Sequence, residues 1–172
     1  MIAETVTCIS FRRDVPNPWH DLLRAFRAGH LDAFAQILAK VRQAVAPYAT
    51  RLFAPGTIAV AVPGHRAGSA NAPCEALIRA LAAEFPNLIP GPGMLIRVQD
   101  APEAKVTGWR DPSSETATLR WAKHLVPVSV HRVLLVDDVL HSGATLNAAS
   151  MALPTRLASS IIALAVFHAT SG

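Results

Sequence analysis

Short apolar runs alternate with amphipathic stretches along the chain, and each change of period marks a change of element. Residues 5–11 alternate loosely and are β-prone, which predicts a first strand. Asn17-Pro18 supplies an N-cap and a first-turn proline; Leu22, Leu23 and Phe26 follow at helical spacing, and Gly29 ends that helix. Leu31, Phe34, Leu38, Val41 and Val45 lay out the apolar face of a second helix, which Pro47 helps to terminate. Residues 58–62 are a short apolar run that reads as a buried strand leading into Pro63-Gly64-His65-Arg66. Asn71 caps a further helix, with Leu77, Ile78, Leu81 and Phe85 on one face. Residues 95–98 read as a strand. Residues 99–120 are polar, broken by Pro102, Gly108 and Pro112, and predict a long loop with a helix near its end. A strand over 133–136, a helix over 144–153 and a strand over 161–167 complete the series.

Strand–helix alternation of this kind predicts an α/β fold, a parallel sheet with helices on both faces. No repeat, linker or low-complexity segment interrupts it, so residues 1–172 are expected to form a single domain.

Composition narrows the class. Hydrophobic residues make up 51% and charged residues 16%, which excludes a disordered chain. The longest apolar runs are broken by Pro, Arg or His, so no membrane span is expected. Met1-Ile-Ala-Glu-Thr lacks a basic region followed by an apolar core, and no secretory signal is expected. Cys8 and Cys74 form no CxxC pair and read as buried or free thiols, which points to a cytoplasmic protein. The formal charge of +4 suits a polyanionic ligand. It also suits weak nucleic-acid binding, but no run of Lys or Arg and no recognition motif supports a sequence-specific role.

The most specific segment is Val133-Leu-Leu-Val-Asp137-Asp138-Val-Leu-His141-Ser142-Gly143-Ala144-Thr145. An unalternating apolar run predicts a strand buried on both faces, with the Asp pair at its C-terminal end, where open α/β sheets place ligands. Residues 142–145 turn into the next helix, so backbone N–H groups face outward with the positive end of the helix dipole behind them. A phosphate fits that turn while the carboxylates hold hydroxyl groups. A receiver domain also carries an acidic pair, but after its first strand, and the stretch following Asp138 is too short for the rest of a receiver. A Walker A loop is missing, since Gly143 is followed by Ala144 and no Gly-Lys-Ser/Thr occurs. Solvated carboxylates on a plain strand-turn-helix are the remaining reading; two adjacent buried charges repel unless a cation or hydroxyls offset them.

This segment resembles the signature of type I phosphoribosyltransferases, which bind phosphoribosyl pyrophosphate (PRPP) and Mg²⁺. The resemblance implies that Asp137 and Asp138 hold the ribose hydroxyls, and that His141, Ser142, Gly143, Ala144 and Thr145 wrap the 5-phosphate. His141 stands where the family usually has Thr or another small residue. Gly64, His65 and Arg66 fall where the family binds pyrophosphate, commonly with an unusual cis peptide. Arg97, Lys105 and Arg110 fall in or beside the stretch corresponding to a mobile hood loop, as further pyrophosphate cations. Within the family the layout is similar to ComF-like, competence-associated proteins, over about residues 18–167. The matching segments are Leu22 to His30, Ala61 to Arg66, Leu95 to Val98 and Val133 to Ala148. Two features depart: residues 1–17 hold no zinc-binding cysteine cluster of the kind often found ahead of that domain, and Ala67-Gly-Ser-Ala-Asn71-Ala-Pro replaces an arginine-containing continuation.

The resemblance implies a type I phosphoribosyltransferase-like fold and a phosphoribosyltransferase. It would take PRPP and an unidentified base or amine, release pyrophosphate, and bind Mg²⁺ mainly through ligand and water with no dedicated protein cage. Hood elements are expected from residues 1–50 and the 99–120 loop, and a homodimer is plausible. The alternative is a catalytically weak PRPP- or nucleotide-binding module in DNA uptake or regulation.

Overall fold

A computed structural model describes residues 1–101, 112–122, 130–154 and 160–170. Their centre is a five-stranded parallel sheet in the order β1-β7-β6-β2-β3. Its strands are β1 (Glu4–Arg12), β2 (Thr57–Ala61), β3 (Leu88–Pro90), β6 (Arg132–Leu140) and β7 (Ile161–Thr170). A separate antiparallel pair joins β4 (Leu95–Arg97) to β5 (Leu119–Trp121). The helices are α1 (Pro18–Arg27), α2 (Leu31–Val45), α3 (Ala49–Leu52), α4 (Ala72–Glu84), α5 (Pro112–Thr116) and α6 (Ala144–Met151), with a 3₁₀ turn over Ala46–Tyr48.

The unalternating apolar runs are central strands, as expected. Every residue of β2 is buried, as are Val133 to Val136 of β6. Their side chains divide between two cores. Ala59, Ala61, Leu134 and Val136 face the core containing Ile37, Val41, Leu77 and Leu81 of α2 and α4. Ile58, Val60, Val133 and Leu135 face the core containing Leu146 and Ala149 of α6 with Leu95 and Trp121 of the β4–β5 pair. Helices therefore cover both faces. Each fully buried leucine in this sandwich stabilises it by about 1.5–3 kcal/mol relative to an exposed one.

Several local expectations shift once the layers are assembled. The buried stripe of α2 is Ala33, Ile37, Val41 and Val45, whereas Leu31 is 83% exposed at the helix start. β3 and β5, three residues each, carry too few positions to show a period, and both went unanticipated. The expected helix near the end of the 99–120 stretch is α5, and β5 begins within that stretch. Within residues 1–50, β1 is an edge strand of the main sheet and α2 packs on its face. Among the described residues no helix is long and apolar enough to cross a membrane.

Candidate functional site

The sheet order creates a topological switch point. From β2 the chain passes through α4 to β3 on one side; from β6 it passes through α6 to β7 on the other. A crevice opens between the C-terminal ends of β2 and β6, where sheets of this kind bind ligands. Pro63 has no N–H to continue the ladder. The last β2–β6 bond runs from the Val62 N–H to the Val136 carbonyl at 2.8 Å. β6 does not stop there. It follows β7 to the Leu140–His168 pair, so Asp137 and Asp138 lie inside a nine-residue strand and not after its end. Their strand is held on one edge only, and the other edge faces the crevice.

Asp137 is 7% exposed and accepts the Asp138 N–H at 2.9 Å. Burial, then the charge of Asp138 and a side-chain hydrogen bond with it, raise the Asp137 carboxyl well above the usual carboxylate range. Asp138 is paired instead: its Oδ2 accepts from Arg27 Nε at 2.5 Å. Burial pulls the Arg27 guanidinium down, but the hydrogen bond to Asp138 and the charges of Asp138 and Asp137 leave it above its ordinary value. Arg27 reaches this position because α1 ends there. Gly29 takes φ +79°, its N–H bonds to the Phe26 carbonyl, and the His30 N–H bonds to the Ala25 carbonyl. That is a Schellman closure. Cys74, in the first turn of α4, is fully buried; burial first, then the charges of Asp138 and Asp137, keep its thiol well above its ordinary range. It is not poised as a nucleophile.

Beyond Asp138 the chain forms the expected turn. Gly143 takes φ +76° as the N-cap of α6, and the Ser142 hydroxyl accepts the Ala144 N–H at 3.4 Å. The first-turn N–H groups of α6 have no preceding carbonyls to bond, which is the physical basis of an anion site. His141 is exposed, with Nε2 3.4 Å from Arg13 Nη1. Arg13, His20 and Leu23 close the far side of a cleft of about 620 Å³ that also contains Asp137 and residues 141–145.

A second cleft of about 390 Å³ adjoins it, containing Gly64, His65, Asn71 and Asp138. Arg27, Asp137, Val139 and Thr145 belong to the walls of both. The loop after β2 is tied down by its own bonds: Gly68 N–H to the Arg97 carbonyl at 2.9 Å, Ala67 N–H to Asp100 at 2.7 Å and Ala101 N–H to the His65 carbonyl at 2.7 Å. All described peptide bonds are trans, so the cis peptide implied by the resemblance is not found in this loop. Gly64 and His65 reach the cleft. Arg66 is exposed and stands outside its wall.

Arg97 borders the second cleft, but its guanidinium is only 1% exposed and committed to protein groups. Nε donates to the Gly64 carbonyl at 2.5 Å, Nη1 to Thr118 Oγ1 at 2.5 Å and Nη2 to Glu115 Oε1 at 3.2 Å. The expected pyrophosphate cation is thus a buried brace between the β2 loop and the α5–β5 segment. Lys105 and Arg110 lie outside the described residues.

Sequence reading missed Arg27, Arg13 and His20 as members of the site. The signals for Arg27 are the helix-ending pattern Phe26-Arg27-Ala-Gly29 and its place in the Leu22 to His30 resemblance, and neither names a partner. Among the described residues no group of three or more His, Cys, Asp or Glu side chains converges on one point. Two adjacent carboxylates offer hard oxygen donors suited to Mg²⁺ that keeps ligand and water oxygens in its shell. Asp137 and Asp138 are the side chains that would contribute to such a shell, with ligand and water oxygens completing it. No family model matches the chain, and no curated protein matches it significantly.

Proposed function

We propose that the chain binds Mg²⁺–PRPP across the two adjoining clefts and transfers its phosphoribosyl group to a nitrogen of a base or amine. The observation that carries this reading is the linear order of chemistry across the crevice. A helix-N-terminal turn opening at Gly143 lies at one end, a carboxylate pair in the middle, and a glycine-bearing loop at the other. PRPP carries a phosphate, a diol and a diphosphate in that same order. The type I phosphoribosyltransferase resemblance of residues 133–145 supports it independently.

In this reading the N–H groups of residues 143–145 bind the 5-phosphate, and Asp137 and Asp138 orient the 2- and 3-hydroxyls. Gly64 lets the loop backbone approach the diphosphate, and Arg97 holds the Gly64 carbonyl in place. The bond from C1 to the diphosphate oxygen breaks with its electron pair leaving on pyrophosphate. A bond from C1 to the acceptor nitrogen forms, and the acceptor's proton passes to solvent. Positive charge developing near C1 lies close to the carboxylate pair, which stabilises it electrostatically. Mg²⁺, when bound, would neutralise charge on the diphosphate.

A second reading, ligand binding without transfer, is favoured by one observation: the β2 loop is hydrogen-bonded to the 97–101 segment and Arg66 stands outside the cleft wall. Two measurements separate these readings. PRPP with Mg²⁺ should raise the melting temperature, AMP or ribose 5-phosphate less so; no shift in a folded sample sinks both readings. Pyrophosphate release should then occur with at least one member of a panel of bases and amines. Thermal stabilisation without release from any acceptor leaves the binding module.

A further inference from the structure

Among the described residues, the basic side chains in the wall of the second cleft are Arg27, His65 and Arg97. Arg97 is spent on Gly64, Thr118 and Glu115, so its charge is neutralised within the protein. Arg66, the arginine that the sequence placed at this site, stands outside the wall. Arg27 differs from both. It belongs to α1, far from the β2 loop in sequence, its side chain is 54% exposed, and it borders both clefts. Its Nε is bonded to Asp138, a residue of the second cleft and not of the first. The ion pair therefore sits at the wall of the second cleft, while the Arg27 side chain also borders the first. The remaining N–H groups of the guanidinium fork are available to an oxyanion there.

We infer that Arg27 is the diphosphate-binding cation of this protein, and that its ion pair with Asp138 is a resting latch which the ligand exchanges for contacts of its own. This inference rests on the PRPP reading and adds to it a residue to which that reading gives no role. The exchange is chemically even-handed. Asp138 gives up a guanidinium and gains a ribose hydroxyl with the accompanying magnesium, while Arg27 gives up one carboxylate and gains a diphosphate. No residual buried charge is left unpaired by the swap, which is the condition for such an exchange to be cheap. The position of Arg27 in the last turn of α1 adds a constraint, because Gly29 closes the helix immediately after it and fixes where the side chain starts.

The test compares two probes on the full chain by calorimetry with Mg²⁺ present. Ribose 5-phosphate has the phosphate and the diol but no diphosphate; PRPP has all three. In Arg27→Gln, PRPP affinity should fall on the order of ten- to a hundredfold, the scale of a charge-assisted forked contact, while ribose 5-phosphate affinity stays within about threefold. Arg27→Lys should lose about half that effect on a logarithmic scale, since it keeps the charge and loses the fork. The Lys variant also serves if Arg27→Gln does not fold. Mg²⁺–pyrophosphate should compete with PRPP for the wild-type chain and compete much less in either variant. Equal losses for both probes would mean that Arg27 only positions Asp138, and would overturn the inference. Unchanged PRPP affinity in both variants would overturn it too, leaving the PRPP reading intact. Failure of the wild-type chain to bind PRPP would remove both.

Discussion

Replacing Asp137 by Asn should stabilise the ligand-free protein at neutral pH while weakening PRPP binding. Asp137 is 7% exposed, and burial together with the neighbouring charge of Asp138 raises its carboxyl well above the ordinary range. In the unfolded chain the same group ionises near its usual value of about 3.9. Below that pH both states hold the proton, and the contribution of the raised group to stability is fully present. As pH rises the unfolded chain releases its proton first, so stability drains away, by at most about 1.4 kcal/mol per pH unit, until the folded carboxyl also ionises. At pH 7 the loss has a ceiling of about 4 kcal/mol, reached only by a carboxyl that stays protonated throughout. An asparagine has nothing to ionise and escapes this loss. Its amide oxygen still accepts the Asp138 N–H that Asp137 now binds at 2.9 Å, so the local backbone keeps its partner. The gain at pH 7 lies below that ceiling, and each 1 kcal/mol of it raises the melting temperature of a chain of this size by roughly 2–4 °C. Urea unfolding of both proteins at half-unit steps from pH 4 to pH 8 measures it. The curves should nearly coincide at pH 4 and separate as pH rises. A gap that does not change with pH, or a variant less stable than wild type at pH 7, would refute the electrostatic account of this site.

Other substitutions probe the neighbouring parts. Gly143→Ala should cost about 1–2 kcal/mol by thermal or urea unfolding, because φ is +76° while a Cβ would meet only ordinary contacts, the nearest being Leu140 Cδ1 at 3.7 Å. The same variant should weaken ribose 5-phosphate binding; a fully retained affinity would detach the turn from the phosphate. Glu115→Gln or Arg97→Met should destabilise by about 3–5 kcal/mol, since each breaks an ion pair buried on both sides, and loss of PRPP affinity in the Arg97 variant should accompany the freed Gly64 loop. Gly64→Ala brings a Cβ within 2.9 Å of Ser69 Oγ, which is itself held by the Arg66 carbonyl at 2.5 Å. It should cost stability and diphosphate binding, and pairing it with Ser69→Gly should restore both; failure of that rescue would point to the backbone and not the clash.

What could be read from the chain itself were the features satisfied within a few residues. Asn17 and Asn71 cap α1 and α4 by accepting N–H groups two and three positions on, Gly29 closes α1, and Gly143 opens α6, all from local chemistry. The apolar runs of β2, β6 and β7 declared themselves because a strand buried on both faces has no polar alternation to hide it. The strand-turn-helix that carries the Asp pair was legible for both reasons. The rest belongs to contacts between distant segments. β1 lies beside β7 at the sheet edge, and β6 runs on past Asp138, because β7 supplies partners that no local pattern encodes. Arg66 and Arg97 are both basic and both near the crevice in sequence terms. Burial beside Glu115 turned one inward as a brace, and the loop geometry left the other outside. Arg27 meets Asp138 across a separation of 111 residues. Residue type told which side chains can bind an anion; only the tertiary placement of α1, which brings Arg27 to Asp138 of β6, decided which of them meets the carboxylates, because a charge acts over ångströms of space and not along the chain.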